Sequence, residues 1–315
     1  MANAQAVQED TTAKIIALLN QVDPNDWSLP WHCPGNVFGT NGAFTPQNPL
    51  SGTRYSGANW IILALTSGAF GPYNGGDTYP SGRYATYRQW KKAGYQVRRG
   101  ESGTPVIFYK EVERQKPAPP GKDEVYRMLR TFTVFAAEQV DGTELPVEDH
   151  VIEGSPHERA EAFILATGAE TRWGGKAACC RHSIGDAGIS SAIEMPMREN
   201  FTTYQRFYST WLHELVHWTK YPTGRSSWLE ANFKELDERY AFEELVAELG
   251  AAMLSAHLQV ANDPLPENAQ YVSAWLSRLN DDSTYIFKAA ARAQAAISHL
   301  IKLVDAAPAA ERSVA

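Results

Sequence analysis

Trp211-Leu212-His213-Glu214-Leu215-Val216-His217-Trp218, read together with Phe242-Glu243-Glu244-Leu245-Val246-Ala247-Glu248 further along, decides how this chain is read. Positions i and i+4 of a helix share a face, about 5–6 Å apart at Cβ, so His213 and His217 can present two imidazoles to one metal ion. Glu214 sits about 100° round the same helix, beside the ion's open position, where a carboxylate can take a proton from water. Trp211, Leu212, Leu215, Val216 and Trp218 cover the rest of the circumference. The helix is therefore buried, and its inward-facing polar groups need a partner.

A tetrahedral catalytic site takes three protein ligands and keeps one position for water. The second stretch supplies the third ligand. Glu244 and Glu248 lie one turn apart on one face of an otherwise apolar helix, and Ala251, Ala252 and Ser255 extend that face with small residues that permit close packing. Glu244 is the predicted ligand. Glu248 is predicted to orient a ligating histidine through its free ring N–H, and Glu243 is the reserve candidate. Zn²⁺ fits this donor set, as does another divalent ion such as Mn²⁺. His182 near Cys179-Cys180 hints at a second metal site, but the spacing fits no common zinc template.

Outward from this centre, the 315 residues exceed one typical domain, and the composition of 43% hydrophobic and 21% charged residues is that of a folded protein. No run of 18–20 apolar residues could span a bilayer, since the uncharged stretch 58–76 is broken by four glycines and Pro72. The N-terminus predicts no secretory signal, and three cysteines, two of them adjacent, make no disulfide framework. These features predict a cytoplasmic protein with reduced thiols. The net charge of -7 argues against a uniformly basic nucleic-acid binder, but residues 83–130 carry 12 basic against 5 acidic residues, interleaved with aromatics. Arg88, Lys91, Lys92, Arg98 and Arg99, with Tyr84, Tyr87 and Trp90, could supply the phosphate contacts and stacking faces that hold single-stranded DNA; an amphipathic helix with a solvated face reads the same way.

The patterning predicts an α+β fold in two domains, 1–145 and 150–315, joined by a Pro- and acid-rich linker over 142–157. Helices are predicted over 12–19, 59–65 and 84–93, and strands at 106–109 and 128–136 around a Pro-rich excursion at 116–122. Residues 27–57 read as an ordered irregular segment. In the second half, helices are predicted at 160–167, 207–219, 236–260 and across 273–304, with a strand at 189–195 ended by Pro196.

The chain resembles the ArdC-type antirestriction proteins of conjugative plasmids over nearly its whole length. In the second half the resemblance rests on Tyr208-Ser-Thr-Trp-Leu-His-Glu-Leu-Val-His-Trp-Thr219 and Tyr240-Ala-Phe-Glu-Glu-Leu-Val-Ala-Glu-Leu-Gly-Ala-Ala252, which look like a zincin-type metallopeptidase domain. In the first half it rests on Pro30-Trp31, on Asn48 with Ser51-Gly52 and Arg54-Tyr55-Ser-Gly-Ala-Asn59, on Thr86-Tyr87-Arg-Gln-Trp90, and on Val97-Arg-Arg-Gly-Glu-Ser-Gly-Thr104. The resemblance implies single-stranded-DNA binding by the N-terminal domain, with Arg54 and Tyr55 joining the residues above. It implies a gluzincin-like metallopeptidase site in the C-terminal domain and protection of incoming plasmid or phage DNA from restriction. A protein substrate follows, for which a host restriction component is a candidate. The alternative is a protein that coats single-stranded DNA and whose metal site is structural; a third reading has the N-terminal domain recognise a protein partner. Two departures stand out: Ser191 and Ala136 occupy positions where the family tends to have Asp and Asn, and 179–188 looks inserted or diverged.

Overall fold

A computed structural model describes residues 3–21, 45–67, 79, 81–113, 125–142, 154–185, 188–260 and 270–307. The segment 22–44, the excursion at 116–122 and most of the linker at 142–157 lie outside the described residues.

The chain opens with α1 (Ala4–Leu19), capped by Asn3, and continues after an extended stretch with α2 (Ala58–Ser67). Both ends of the helix predicted over 84–93 behave differently. Residues Tyr84–Thr86 form β1, and the helix α3 covers only Tyr87–Lys92. Tyr84 and Ala85 pair with Ala136 and Phe135, and Thr86 then starts the helix with a capping box closed by Gln89. Ladder pairing thus takes the first turn, and the Thr-x-x-Gln pattern marks the true start. After β2 (Gln96–Val97) come the long antiparallel strands β3 (Thr104–Glu113) and β4 (Val125–Ala136), giving a sheet of order β1-β4-β3. Short β5 (Val140–Asp141) pairs with β2.

The second half begins with α4 (Pro156–Ala166), whose start is fixed by Ser155, Glu158 and Pro at the first helical position. A three-stranded sheet follows, β6 (Thr171–Trp173), β7 (Cys179–Gly185) and β8 (Gly188–Met195), in the order β6-β8-β7. Most of the segment read as inserted or diverged, Cys179–Gly185, forms β7 at the edge of this sheet. Among the described residues five α-helices follow: α5 (Tyr204–Trp218), α6 (Arg225–Asn232), α7 (Leu236–Leu258), α8 (Val272–Asp281) and α9 (Tyr285–Ala306). The C-terminal end of α7 is held by the buried Arg159, which donates to the carbonyls of Leu258 and Gln259, both at 2.8 Å. None of the helices described is long and apolar enough to cross a membrane.

One apolar core runs through both halves. Ile15, Trp60, Ile61 and Leu63 belong to the same buried cluster as Ile164, Trp211, Leu249 and Leu300. Hydrogen bonds cross as well, from Thr12 Oγ1 to the Ser283 carbonyl at 2.8 Å, from Thr45 Oγ1 to the Ala256 carbonyl at 3.0 Å, and from Gly57 N to Gln294 Oε1 at 3.1 Å.

Candidate metal centre and nucleic-acid surface

Helices α5 and α7 pack directly against each other, closely enough that a Cβ on Gly250 would stand 2.9 Å from both Val216 methyls. That approach brings the ligand-bearing faces together. One donor atom each from His213, His217 and Glu244 lies within 4.8 Å of the others. The Nε2 atoms of the two histidines are 3.1 Å apart, and Glu244 oxygens lie 3.3 Å from His213 Nε2 and 3.5 Å from His217 Nε2. Ligands bonded at about 2.0–2.1 Å around a tetrahedral ion stand about 3.3 Å from one another. The two distances involve different oxygens of the Glu244 carboxylate, Oε2 and Oε1, and the three side chains stand close enough to share one divalent ion, which their donor types fit.

The far nitrogens of both imidazoles face carboxylates. Glu248, which is 2% exposed, places an oxygen 3.4 Å from His213 Nδ1, longer than an ordinary hydrogen bond. Glu243 stands 3.1 Å from His217 Nδ1. The reserve ligand candidate is therefore aimed at the back of a histidine and not at the donor cluster. Glu243 is in turn clamped by Arg225, whose Nε and Nη2 donate to its two oxygens at 2.8 and 2.9 Å. Arg225 is fully buried and also donates to the Val216 carbonyl at 2.8 Å and to Thr219 Oγ1 at 3.1 Å, so it ties off the end of α5. No sequence signal pointed to Arg225: it lies in a polar run after Gly224, where a buried cation has no pattern to announce it.

Burial alone would lower both histidine pKa values, but the surrounding carboxylates outweigh it. Glu244 and Glu248 raise His213 well above its ordinary value, and Glu244 with Glu243 pushes His217 up to about 9. Burial works against the ionised carboxylates too, yet Arg225 and His217 hold Glu243 down at about 2, and the two histidines hold Glu244 lower still.

The donors open onto a cleft of about 600 Å³ that Glu214 also lines. Cys179, Cys180 and His182 of β7 form part of its wall. Cys180 Sγ lies 3.8 Å from His182 Nε2, whose other nitrogen is 2.7 Å from the Ser191 hydroxyl. The only cluster of three metal-binding side chains among the described residues remains His213, His217 and Glu244. Both cysteines are free thiols.

The residues nominated for DNA divide sharply. Tyr84 and Trp90 have no exposed surface, and Trp90 Nε1 donates to the Phe135 carbonyl at 3.0 Å. Neither has a ring face to offer a base, because the β1–β4 pairing and the inner face of α3 draw both into the core. Tyr55 is half-buried, with its hydroxyl donating to the Tyr84 carbonyl at 3.0 Å, and burial pushes its pKa up to about 12. Arg54 lies 3.0 Å from His257 Nδ1 of α7, and Arg98 pairs with Glu101 at 2.7 Å. Tyr87, at 42% exposure, stands in the open with Arg88, Lys91, Lys92 and Arg99. Two further aromatics, outside the nominated set, are exposed. Phe108 and Phe132 project from β3 and β4 with ring centroids 5.4 Å apart, and Arg130 is the cross-strand partner of Phe108. In sequence each lies in an apolar strand run and reads as core.

Residues 5–135 match the N-terminal domain of anti-restriction factor ArdC, and residues 158–292 match a zincin-like metallopeptidase domain. The crystal structure of the antirestriction ArdC protein from plasmid R388, metal-free, superposes with a TM-score of 0.71 at 32% identity, covering 96% of this chain and 98% of that one. This chain belongs to the ArdC antirestriction family. The Mn(II)-bound structure of the same R388 protein gives a TM-score of 0.68 at 33% identity, over 95% of this chain and 98% of that one. An uncharacterized protein of Sinorhizobium fredii is 33% identical across 91% of this chain and 89% of its own length. A DNA primase TraC of Escherichia coli is 36% identical over 85% of this chain, but the chain spans only 24% of that protein.

Proposed function

We propose that this ArdC-family chain binds single-stranded DNA through residues 1–145 and hydrolyses peptide bonds in residues 150–315, and that it thereby protects incoming DNA from restriction. The observation that carries the second activity is the convergence of His213, His217 and Glu244, with one donor atom each within 4.8 Å of the others, in a cleft that Glu214 also lines. A divalent ion such as Zn²⁺ or Mn²⁺, when bound there, supplies Lewis acidity and lowers the pKa of water. The side chains do the rest. Glu214 takes a proton from the attacking water and passes it to the leaving amine, as a general base that becomes a general acid. Glu243 and Glu248 hold the imidazoles in the tautomer that leaves Nε2 free for the ion.

The exposed row Arg88, Lys91, Lys92 and Arg99, with the exposed part of the Tyr87 ring, which packs edge-on against Phe135, supports binding of single strands, because phosphates need cations and unpaired bases need an accessible aromatic face. The two activities separate by mutation in a transfer assay with a restricting recipient. Glu214→Gln should abolish protection while leaving metal and DNA binding intact. Arg88→Ala with Lys92→Ala should weaken DNA binding most at low salt and make it less sensitive to added salt. If Glu214→Gln protects as well as the unaltered protein while the DNA variant does not, protection is coating and the metal site is structural.

A further inference from the structure

The cleft carries more positive charge than its donor cluster uses. Of its carboxylates, Glu243 is clamped by Arg225 and Glu244 lies between two histidines. Glu194, behind Cys179, is bridged to Arg181 at 2.7 Å. Glu214 alone is left over. The cations are differently placed. Lys176 comes from the loop before β7, Lys220 follows the end of α5, and Arg206 stands on the first turns of α5, all lining the same cleft. Lys176 and Lys220 make no ion pair among the described residues. A bound divalent ion would add to this excess.

The layout is extended. Arg206, Thr210, His213 and His217 follow one another at helical spacing along the cleft side of α5, so the cations flank the donor cluster from both ends. Arg206 to His217 spans about 16 Å at 1.5 Å per residue, the length of about five residues of extended peptide. Across the cleft, β7 is an edge strand among the described residues, paired there with β8 alone. Tyr240 and Tyr271 close the remaining side.

We propose that this cleft selects acidic peptide segments, with Lys176 and Lys220 as the residues that read glutamate or aspartate side chains on either side of the scissile bond. This rests on the peptide-hydrolysis reading above and names its substrate class. Free cations at a rim discriminate by attracting one sign of charge and repelling the other. A phosphate backbone would feel the same attraction, so a DNA strand is the rival occupant.

The test uses the full-length Glu214→Gln protein loaded with Mn²⁺ and fluorescent peptides about ten residues long. The peptides are identical except for Glu, Gln or Lys at alternate positions. In an anisotropy titration the Glu peptide should bind about tenfold more tightly than the Gln peptide, with the advantage shrinking as salt rises. Lys176→Glu with Lys220→Glu should remove that preference without changing metal content; Lys176→Gln with Lys220→Gln, a milder pair, should reduce it. Equal binding of the Glu and Gln peptides, or a preference that survives both double substitutions, overturns the proposal. So does displacement of the Glu peptide by a single-stranded oligonucleotide that loses its effect when Lys176 and Lys220 are replaced. Mass spectrometry of the same peptides with unaltered protein tests hydrolysis separately. Intact peptides with charge-selective binding would refute hydrolysis and leave the acidic preference standing; cleavage without charge preference would do the reverse.

Discussion

Arg225 has no exposed surface and gives four of its contacts to Glu243, Val216 and Thr219, so it serves two elements at once: the end of α5 and the back of His217. Replacing it alone with Met would leave Glu243 ionised in the interior with His217 in place of the Arg225 clamp as its partner, at a cost of about 3 kcal/mol of stability. Adding Glu243→Leu should recover part of that loss, because an apolar pair replaces a broken ionic one. It should not recover metal binding, since His217 Nδ1 then has no acceptor and affinity should stay about 10–100-fold down. Thermal unfolding and competition with a chelator read the two effects separately. Glu244→Ala should lose more affinity than Glu248→Ala, which removes only a partner at the back of His213. The same residues set the pH dependence. In the metal-free chain the surrounding carboxylates raise His217 to about 9 and raise His213 too, so at neutral pH the pair holds a proton that ligation must displace. Ligation needs neutral imidazoles, so metal entry must release protons, and affinity must climb as pH rises towards about 9 and fall on the acid side. Calorimetric titrations at pH 7 in two buffers of different ionisation enthalpy should show net proton release; identical heats after buffer correction would contradict it.

At the scale of elements, the meeting of α5 and α7 is the contact that builds the centre, and Gly250 sets its distance. An added Cβ would lie 2.9 Å from the Val216 methyls, one residue from the ligand His217. Gly250→Ala gains up to about 1 kcal/mol of helix propensity against a comparable packing penalty, so its net effect should be small. Gly250→Leu cannot be accommodated that way: it should part the helices, lowering both melting temperature and metal affinity. Unchanged affinity in a folded Gly250→Leu protein would show that the contact does not position the ligands. This pairing was legible because histidines and carboxylates at helical spacing on apolar helices have few other uses. The strand β7 was not legible. Its Cys-Cys-Arg-His-Ser-Ile-Gly sequence lacks the alternation of a half-buried strand, since it is an edge whose residues line a polar cleft and solvent. For α3 the signal was present in Thr86 and Gln89, but the helix-forming content of 84–93 obscured it. The aromatics followed suit: helical periodicity cannot say that Tyr84 belongs to a ladder, so its burial was invisible.

At the scale of the molecule, the two family-matched segments are not independent bodies joined by a tether. Trp60 of α2 is 3% exposed and lies in the same apolar cluster as Ile286, Ala290 and Ile297 of α9. Around it Gly57 donates to Gln294, and Arg54 meets His257 on the helix that carries Glu244. None of this could be read from a sequence whose motifs fall neatly into two halves, because cross-half burial leaves no periodicity beyond that of an ordinary core helix. A break between residues 145 and 150 would expose apolar faces of α2 and α9 that full-length packing covers. Urea unfolding of the intact chain should therefore show one cooperative transition, with tryptophan fluorescence and far-ultraviolet circular dichroism coinciding. Trp60→Ala, about 3–5 kcal/mol destabilising for a large buried aromatic, should shift that whole transition although the residue belongs to the N-terminal half. Loss of bound metal should follow the same shifted curve. Two separated transitions, with metal retained through the first and Trp60→Ala moving only that one, would instead mean that the shared core does not couple the DNA-binding half to the metal centre.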